Sequence, residues 1–504
     1  MQGTSEELTV VSNRLPVVLR NHGDGYEVHP ASGGLVQAMN PVLQARGGTW
    51  VGWPGTFADA DDWAEPIEAF AGQRGYDLEP VMLSKGDIES YYAGFANSVL
   101  WPLFHGFTEP CEFRPEFWRA YLSVNSKFAL RLARSKRVGR RVWIHDYHLI
   151  HVGRMLRAAK MDLERLGFFL HIPFPDVGVL RRLPWCKQLI NAFLAYDLVG
   201  FQTAHDLHHF LGCVEHLIPD CTISTGSMAS TSGGEVSATI DLGHRRVEAE
   251  AFPIGTDFDD FSNRARSEEV SERVESLQED IGPYKMMLGV DRLDYTKGLL
   301  HRLHALETAL ERHPSLRENI VLYQLVVPSR ENVGAYAGLK EELEQTVGRI
   351  CGKFSTRKWT PIHYRYTCVD PIELAAMYRL ASVALVTPLR DGMNLVAKEY
   401  VAAQVDQTGA LVLSEFAGAA SQLSDGAFIV NPYDIEATAE AIHRAVELPA
   451  AQRRTRMRTL REIVAKTDVY WWANQFTERL DTQPSPNPIR RALAVDESLA
   501  IRTM

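Results

Sequence analysis

Short apolar runs rich in valine, isoleucine and phenylalanine recur along the first half of the chain: "LTVVS" (8–12), "TWVGW" (49–53), "RVWIHD" (141–146), "GFFLHIP" (167–173) and "LVGFQ" (198–202). Each has the length and composition of a buried strand. Longer segments with helical spacing, such as 117–133, lie between several of them, so the pattern predicts β-α-β units and a largely parallel sheet. The pattern then restarts. "YKMMLGVDRL" (284–293) is a strand running into a charged turn, and Leu299, Leu303, Leu306 and Leu310 follow at spacings of four, three and four before Pro314. Further strands are predicted at 320–328, 383–388, 409–415 and 427–432. Two tandem series imply an α/β protein of two Rossmann-like, doubly wound domains.

"AFPIGTDFDDF" (251–261) places the boundary between them, giving domains over 1–255 and 256–468. The small, polar stretch 224–238 reads as a mobile loop. After Asp481, "TQPSPNP" breaks any helix, so 483–504 is expected to be a disordered tail.

Composition adds limits rather than detail. A chain of 504 residues exceeds what one core usually organises, and 45% apolar with 23% charged residues is ordinary for a globular protein. The formal net charge of -10 argues against nucleic acid or an anionic membrane as a partner. The six cysteines form no C-x-x-C pair, so neither a zinc site nor a disulfide framework is suggested. No stretch approaches the length of a membrane span, and the acidic start is unlike a signal peptide, which makes a cytoplasmic location the expectation.

Chemistry collects where strands end, the place at which open α/β sheets bind ligands. "SNRLP" supplies Arg14, "IHDYH" Asp146, "VDRLDYTKG" Arg292 and Lys297, "PSR" Arg330, and "TPLRDGMNLVAKEY" Asp391 and Glu399. Arginine forks onto phosphate oxygens and lysine acts as a point charge, so cations at strand ends in both domains suggest more than one phosphate. Gly33 and Gly34 in "ASGGL" offer backbone N–H groups at close approach. One such charge is usually a solvated loop residue; five loaded ends make coincidence a poor account. His145, His148, His151 and His171 match no zinc spacing. "HDLHH" (205–209) reads as surface, and Trp118, Trp471 and Trp472 as packing aromatics. Tyr91, Tyr92 and Trp101 stay open between packing and sugar stacking.

"VVSNRLP", "SGGL", "NSVLWPLFH", "WIHDYHL", "GFFLHIPFP", "DLVGFQT", "VDRLDYTKGL", "PSR" and "TPLRDGMNLVAKEYVAAQ" together resemble, in order, the motif series of the trehalose-6-phosphate synthase family. The resemblance implies a GT-B fold, two Rossmann-like domains facing across a cleft, with a C-terminal helix (469–482) crossing back to the first. It implies a retaining transfer of glucose from a nucleotide diphosphate glucose, usually UDP-glucose with ADP- and GDP-glucose as alternatives, to glucose 6-phosphate. No cofactor and no metal is implied, and a homo-oligomer, dimer or tetramer, is expected.

Carried over by motif, Arg14, Tyr92, Trp101, Asp146 and Arg330 would bind the acceptor, with Trp53 beside them. Gly33, Gly34, Arg292, Lys297, Val369, Asp391, Gly392, Met393, Asn394, Leu395, Val396, Ala397, Lys398 and Glu399 would hold the donor, and His171 would face the reacting sugar. Asp146, His171, Arg292, Lys297 and Asp391 form the implied catalytic set. For Lys398 the alternative is a side chain pointing to solvent. The resemblance also implies front-face displacement, in which the departing diphosphate takes the acceptor's proton and no enzyme carboxylate attacks. Two other readings stay open: a related transferase with a different acceptor, and a non-catalytic sugar-phosphate sensor.

Overall fold

A computed structural model describes residues 8–21, 26–31, 33–56, 64–228, 235–329 and 334–482. The expected tail and Arg330 lie outside the described residues. The chain divides into two compact units, Met1–Phe252 with Trp472–Met504, and Pro253–Trp471. The sequence had set these limits at 255 and 468.

The strands of the first unit are β1 (Leu8–Arg14), β2 (Val17–Asn21), β3 (Tyr26–Pro30), β4 (Thr49–Trp53), β5 (Asp77–Pro80), β6 (Arg141–His145), β7 (Arg165–Phe169), β8 (Leu198–Phe201), β9 (Thr222–Met228), β10 (Glu235–Asp241) and β11 (Arg246–Ala251). Apart from the β2–β3 hairpin they form one sheet in the order β5-β4-β1-β6-β7-β8-β11-β10-β9. Pairing is parallel from β5 to β11, and β10 runs antiparallel to both its neighbours. The stretch expected as a mobile loop is therefore largely β9 and β10, with 229–234 outside the described residues. Ser224, Thr225 and Ser227 belong to the edge strand β9, while Ala238 and, just beyond the stretch, Ile240 of β10 are buried. An antiparallel edge with a solvated face alternates small polar with apolar residues, and that alternation mimics loop composition.

Central β1 is buried almost throughout because helices cover the parallel sheet on its faces. The C-terminal helix Val469–Asp481 supplies part of that cover. Phe476 lies flat on Trp143, ring centroids 4.3 Å apart, and Trp472 packs on the same indole. Gly167 and Gly200 make the approach possible: a Cβ on either would sit 2.8 Å from the Phe476 ring. Arg479 closes the contact through Glu248 and Glu250, each at 2.9 Å.

The second unit holds β12 (Lys285–Arg292), β13 (Ile320–Val327), β14 (Ile362–Tyr366), β15 (Val383–Val386), β16 (Ala410–Ser414) and β17 (Phe428–Val430). All six are parallel, in the order β14-β13-β12-β15-β16-β17. Reversal of direction on either side of β12 marks a switch point, where ligand crevices form in such sheets. β14 escaped the sequence reading because "IHYRY" is a half-exposed edge strand without an apolar run. The predicted leucine helix is Leu299–Arg312, capped by His313 and stopped by Pro314. Among the described residues no helix is long and apolar enough to cross a membrane.

Candidate active site

In the first unit, five neighbouring strands end on polar or aromatic side chains. Across β4, β1, β6, β7 and β8 the row reads Trp53, Arg14, Asp146, His171 and Gln202. Arg14 lies over the Trp53 ring with its guanidinium carbon 4.2 Å from the centroid, and 5.9 Å from that of Tyr92. Trp53 is held by donating Nε1–H to the Thr56 carbonyl at 2.7 Å. Tyr92 stacks on His148 from the Ile88–Leu100 segment, an unusually long stretch of π-helix. Such wide turns are frequent at functional sites.

Arg14 Nη1 is buried without a hydrogen-bond partner among the described residues. Burial lowers the guanidinium's pKa from its ordinary value, though such a group stays cationic at neutral pH. The guanidinium is also confined: Gly55 has φ +88°, and a Cβ there would lie 2.2 Å from Nη1. Rings on one side and a glycine on the other hold a desolvated cation whose Nη1 has hydrogen-bonding capacity to spare. Trp101, 5% exposed, packs on His105 at 4.2 Å and on Tyr147.

Asp146 adopts a left-handed conformation, φ 74°, which is rare outside glycine and concentrates at functional sites. Its N–H donates to the Phe169 carbonyl at 2.7 Å, and its Oδ1 accepts from the His171 N–H at 3.2 Å. The His171 ring is engaged at both nitrogens. Gln202 Nε2 is 3.3 Å from Nδ1, and His145 Nδ1 is 3.0 Å from Nε2. With Gln202 donating, the His171 proton sits on Nε2 and goes to His145. Burial lowers both imidazoles, His171 to about 3, so both are neutral at physiological pH. His171 is thus no free general base. Of the other two histidines weighed as metal ligands, His148 stacks on Tyr92 and His151 meets Trp118 edge-on at 5.0 Å.

In the second unit, Arg292 ends β12 on the exposed side, and the turn Tyr295–Lys297 brings Lys297 back under cover. Its Nζ is 2.5 Å from Asp391 Oδ2, with both side chains mostly buried. Asp391 also accepts from Asn394 Nδ2 at 3.0 Å, and its N–H donates to the Phe416 carbonyl. Asn394 is left-handed, φ 73°, and caps the Leu395–Ala403 helix by accepting from Ala397 N–H at 3.4 Å. That leaves the Leu395 and Val396 amides among those a helix start presents to a ligand. Gly392 and Met393 are buried in the turn before them, where the Gly392 carbonyl closely approaches Gly418.

Behind this turn lies a network the sequence reading missed. Arg302, fully buried, pairs with Asp291 at 2.5 Å and donates to Thr387 Oγ1 and Gln324 Oε1, both at 3.1 Å. Burial raises the Asp291 pKa against the pull of Arg302. An available signal was an arginine at 302, on the same helical stripe as Leu299, Leu303 and Leu306.

Lys398 corrects the solvent-facing alternative. It is wholly buried, donating to the Ile254 carbonyl and to Gln422 Oε1, each at 2.6 Å. Burial pushes its ammonium down to about 7. A side chain held in this way supports the Leu395–Ala403 helix, with two of its ammonium's three N–H donors committed to neutral oxygens. Glu399 is 6% exposed and accepts from the Tyr378 hydroxyl at 2.9 Å, and burial raises its pKa. Val369 is half-buried in the loop after β14. Gly33, φ 142°, caps the Gly34–Arg46 helix, and both glycines are exposed in the first unit, apart in sequence and unit from the rest of the expected donor set.

Two doubly wound units whose carboxyl strand ends carry cations, aromatics and carboxylates define a glycosyltransferase of the GT-B class. The chain belongs to glycosyltransferase family 20, whose model matches residues 6–482. It is 43% identical to a trehalose-6-phosphate synthase of Mycolicibacterium smegmatis, over 95% of this chain and 93% of the relative. Among solved structures it resembles an α,α-trehalose-phosphate synthase (UDP-forming) from Burkholderia xenovorans in complex with glucose-6-phosphate, with TM-score 0.82 and 36% identity over 94% and 99% of the two chains. It equally resembles an E. coli structure bound with UDP-2-fluoro glucose, with TM-score 0.82 and 35% identity over 95% and 100%. The family resemblance drawn from the motifs is borne out.

Proposed function

We propose that the chain transfers glucose from UDP-glucose to glucose 6-phosphate, giving α,α-trehalose 6-phosphate and UDP with retained anomeric configuration. The observation that carries this reading is the buried Arg14 guanidinium over Trp53 and Tyr92, with an unpartnered Nη1 beside Asp146 in the strand-end row. A desolvated cation beside stacking rings and a carboxylate suits a phosphorylated sugar: the phosphate on Arg14, the sugar face on the aromatics, a hydroxyl on Asp146.

In the second unit, Arg292 and Lys297 neutralise charge developing on the diphosphate, and the start of the Leu395–Ala403 helix adds backbone N–H groups. Asp391 holds the donor glucose and Glu399 the ribose. The acceptor's anomeric oxygen bonds to the donor's anomeric carbon as the bond from that carbon to phosphate oxygen breaks, and the acceptor's proton passes to the departing diphosphate. No enzyme base enters this step, in keeping with a neutral His171 whose two ring nitrogens are already committed. Catalysis then rests on positioning and charge stabilisation.

The test is a matrix of UDP-, ADP- and GDP-glucose against glucose 6-phosphate and other sugar phosphates, with product linkage read by NMR. Nucleotide release that requires glucose 6-phosphate and yields the α,α-1,1 linkage is expected. Release without dependence on glucose 6-phosphate, or none with any donor, would overturn the proposal, the latter in favour of a sensor.

A further inference from the structure

Outside the candidate active site, one cluster in the second unit brings three metal-ligating side chains together. Glu440 and His443 lie three residues apart on the Ile435–Val446 helix, a spacing that puts both on one face. His313, the residue capping the Leu299–Arg312 helix, joins them there. His313 Nε2 is 2.9 Å from Glu440 Oε1, and the His313 and His443 rings stack in parallel, 3.8 Å apart with 3° between planes. One ligand atom from each residue falls within 4.8 Å of the other two.

We propose that His313, Glu440 and His443 bind a divalent transition-metal ion of the zinc type. Two neutral imidazole nitrogens and one carboxylate oxygen make a borderline donor set that suits this ion, with a fourth position left for water. Ligand bonds of ~2.0–2.2 Å would set the ligand atoms about 3.3–3.5 Å apart, so the His313–Glu440 pair is already close enough and the widest gap needs to close by at most ~1.5 Å. Rotation about χ1 and χ2 of the half-buried His443, whose ring stacks on that of His313, supplies such a movement. Ion binding replaces the hydrogen bond between His313 and Glu440. Arg312, next to His313 in the chain, is paired with Glu436 at 2.6 Å.

The ion has no part in the sugar transfer. Fourteen helical residues separate His313 from the turn that carries Lys297, about 21 Å at 1.5 Å per residue. It joins the far end of that helix to a second helix, and so anchors from behind the element on which Lys297 is mounted. Binding to the folded chain alone stabilises it by mass action.

The experiment uses the full-length protein stripped with a chelator, with Zn2+ followed by calorimetry and Co2+ by its visible absorption bands, in the wild type and in His313→Ala, Glu440→Gln and His443→Ala. One Zn2+ per chain is expected, together with Co2+ bands of a four- or five-coordinate site. At least a hundredfold weaker binding is expected in each histidine variant, and a rise in Tm on adding Zn2+ only in the wild type. Sugar transfer by the stripped His443→Ala protein should equal that of stripped wild type. Absence of saturable binding, or a loss under tenfold in the histidine variants, overturns the proposal and leaves the triad as an ion pair with a ring stack.

Discussion

The two units treat their cations in opposite ways. In the first, Arg14 is laid on Trp53 with a buried Nη1 that no described residue satisfies. In the second, Lys297 is paired at 2.5 Å with Asp391, which Asn394 also contacts. Rings fix a cation without neutralising it, so the first arrangement keeps its charge available to an anion from outside. A carboxylate neutralises as it fixes, so an anion in the second site has to share or displace Asp391. The first arrangement suits binding of a stable phosphate, and the second suits charge that appears only during reaction, when Lys297 can shift its strongest bond toward the leaving group.

The largest effect should come from the second site. On the proposed mechanism Lys297→Ala removes a stabiliser of developing charge and takes the lysine from a mostly buried Asp391, so kcat should fall about 10²–10³-fold, the range for a lost transition-state donor. Steady-state kinetics at saturating substrates checks this; a loss confined to KM would erase the contrast between the units. Arg14→Ala should act differently. Loss of a charge-assisted bond of ~1.5–3 kcal/mol should raise the KM for glucose 6-phosphate about 10- to 100-fold, with the donor KM unchanged. Equal rises for both substrates would mean that Arg14 does not read the acceptor.

Both sites were visible as strand-end charges, because a doubly wound sheet gathers its carboxyl ends along one side and the residue types there say what they meet. Arg14, Asp146, Lys297 and Asp391 needed no coordinates to be singled out. Pairing and exposure were less visible. Arg302 sits on an apolar stripe, which signals that it is covered but not that its partner is the buried Asp291. Lys398 sits beside Glu399 in a charged motif and is wholly buried. A sequence shows which groups carry charge, but desolvation depends on what the second helix or loop brings up from a distance, here Ile254 and Gln422. The 224–238 strands were missed for the converse reason, a solvated edge that resembles a loop.

Lys398 sharpens the comparison, as a buried cation held only by neutral oxygens. Its folded value is lowered to about 7 from an ordinary 10.5. Between those values the unfolded chain binds the extra proton, so this group makes stability rise with pH from about 7 to 10 and leaves it flat below. Denaturant unfolding of wild type against Lys398→Met should show the wild type gaining about 2 kcal/mol on the variant from pH 7 to 9, at ~1.4 kcal/mol per unit. A constant difference across that window would mean that Lys398 keeps its proton in the fold.

The smallest effect tests the anion of the second unit. Glu399 has one phenolic bond, from Tyr378 at 2.9 Å, and burial raises its pKa while that bond opposes the rise. Tyr378→Phe removes the opposing contribution, so Glu399 should take up its proton at a higher pH than in the wild type. A protonated Glu399 is a poorer acceptor for ribose hydroxyls, and the carboxylate also loses the group that orients it. The donor KM should therefore rise about five- to tenfold, from ~1–1.5 kcal/mol of lost hydrogen bonding, with the acceptor KM unchanged. The acid limb of the donor kcat/KM profile should move to higher pH, which a purely structural tyrosine would not do. An unmoved limb with an unchanged donor KM would separate Glu399 from the donor and leave Asp391 as the carboxylate of the second site.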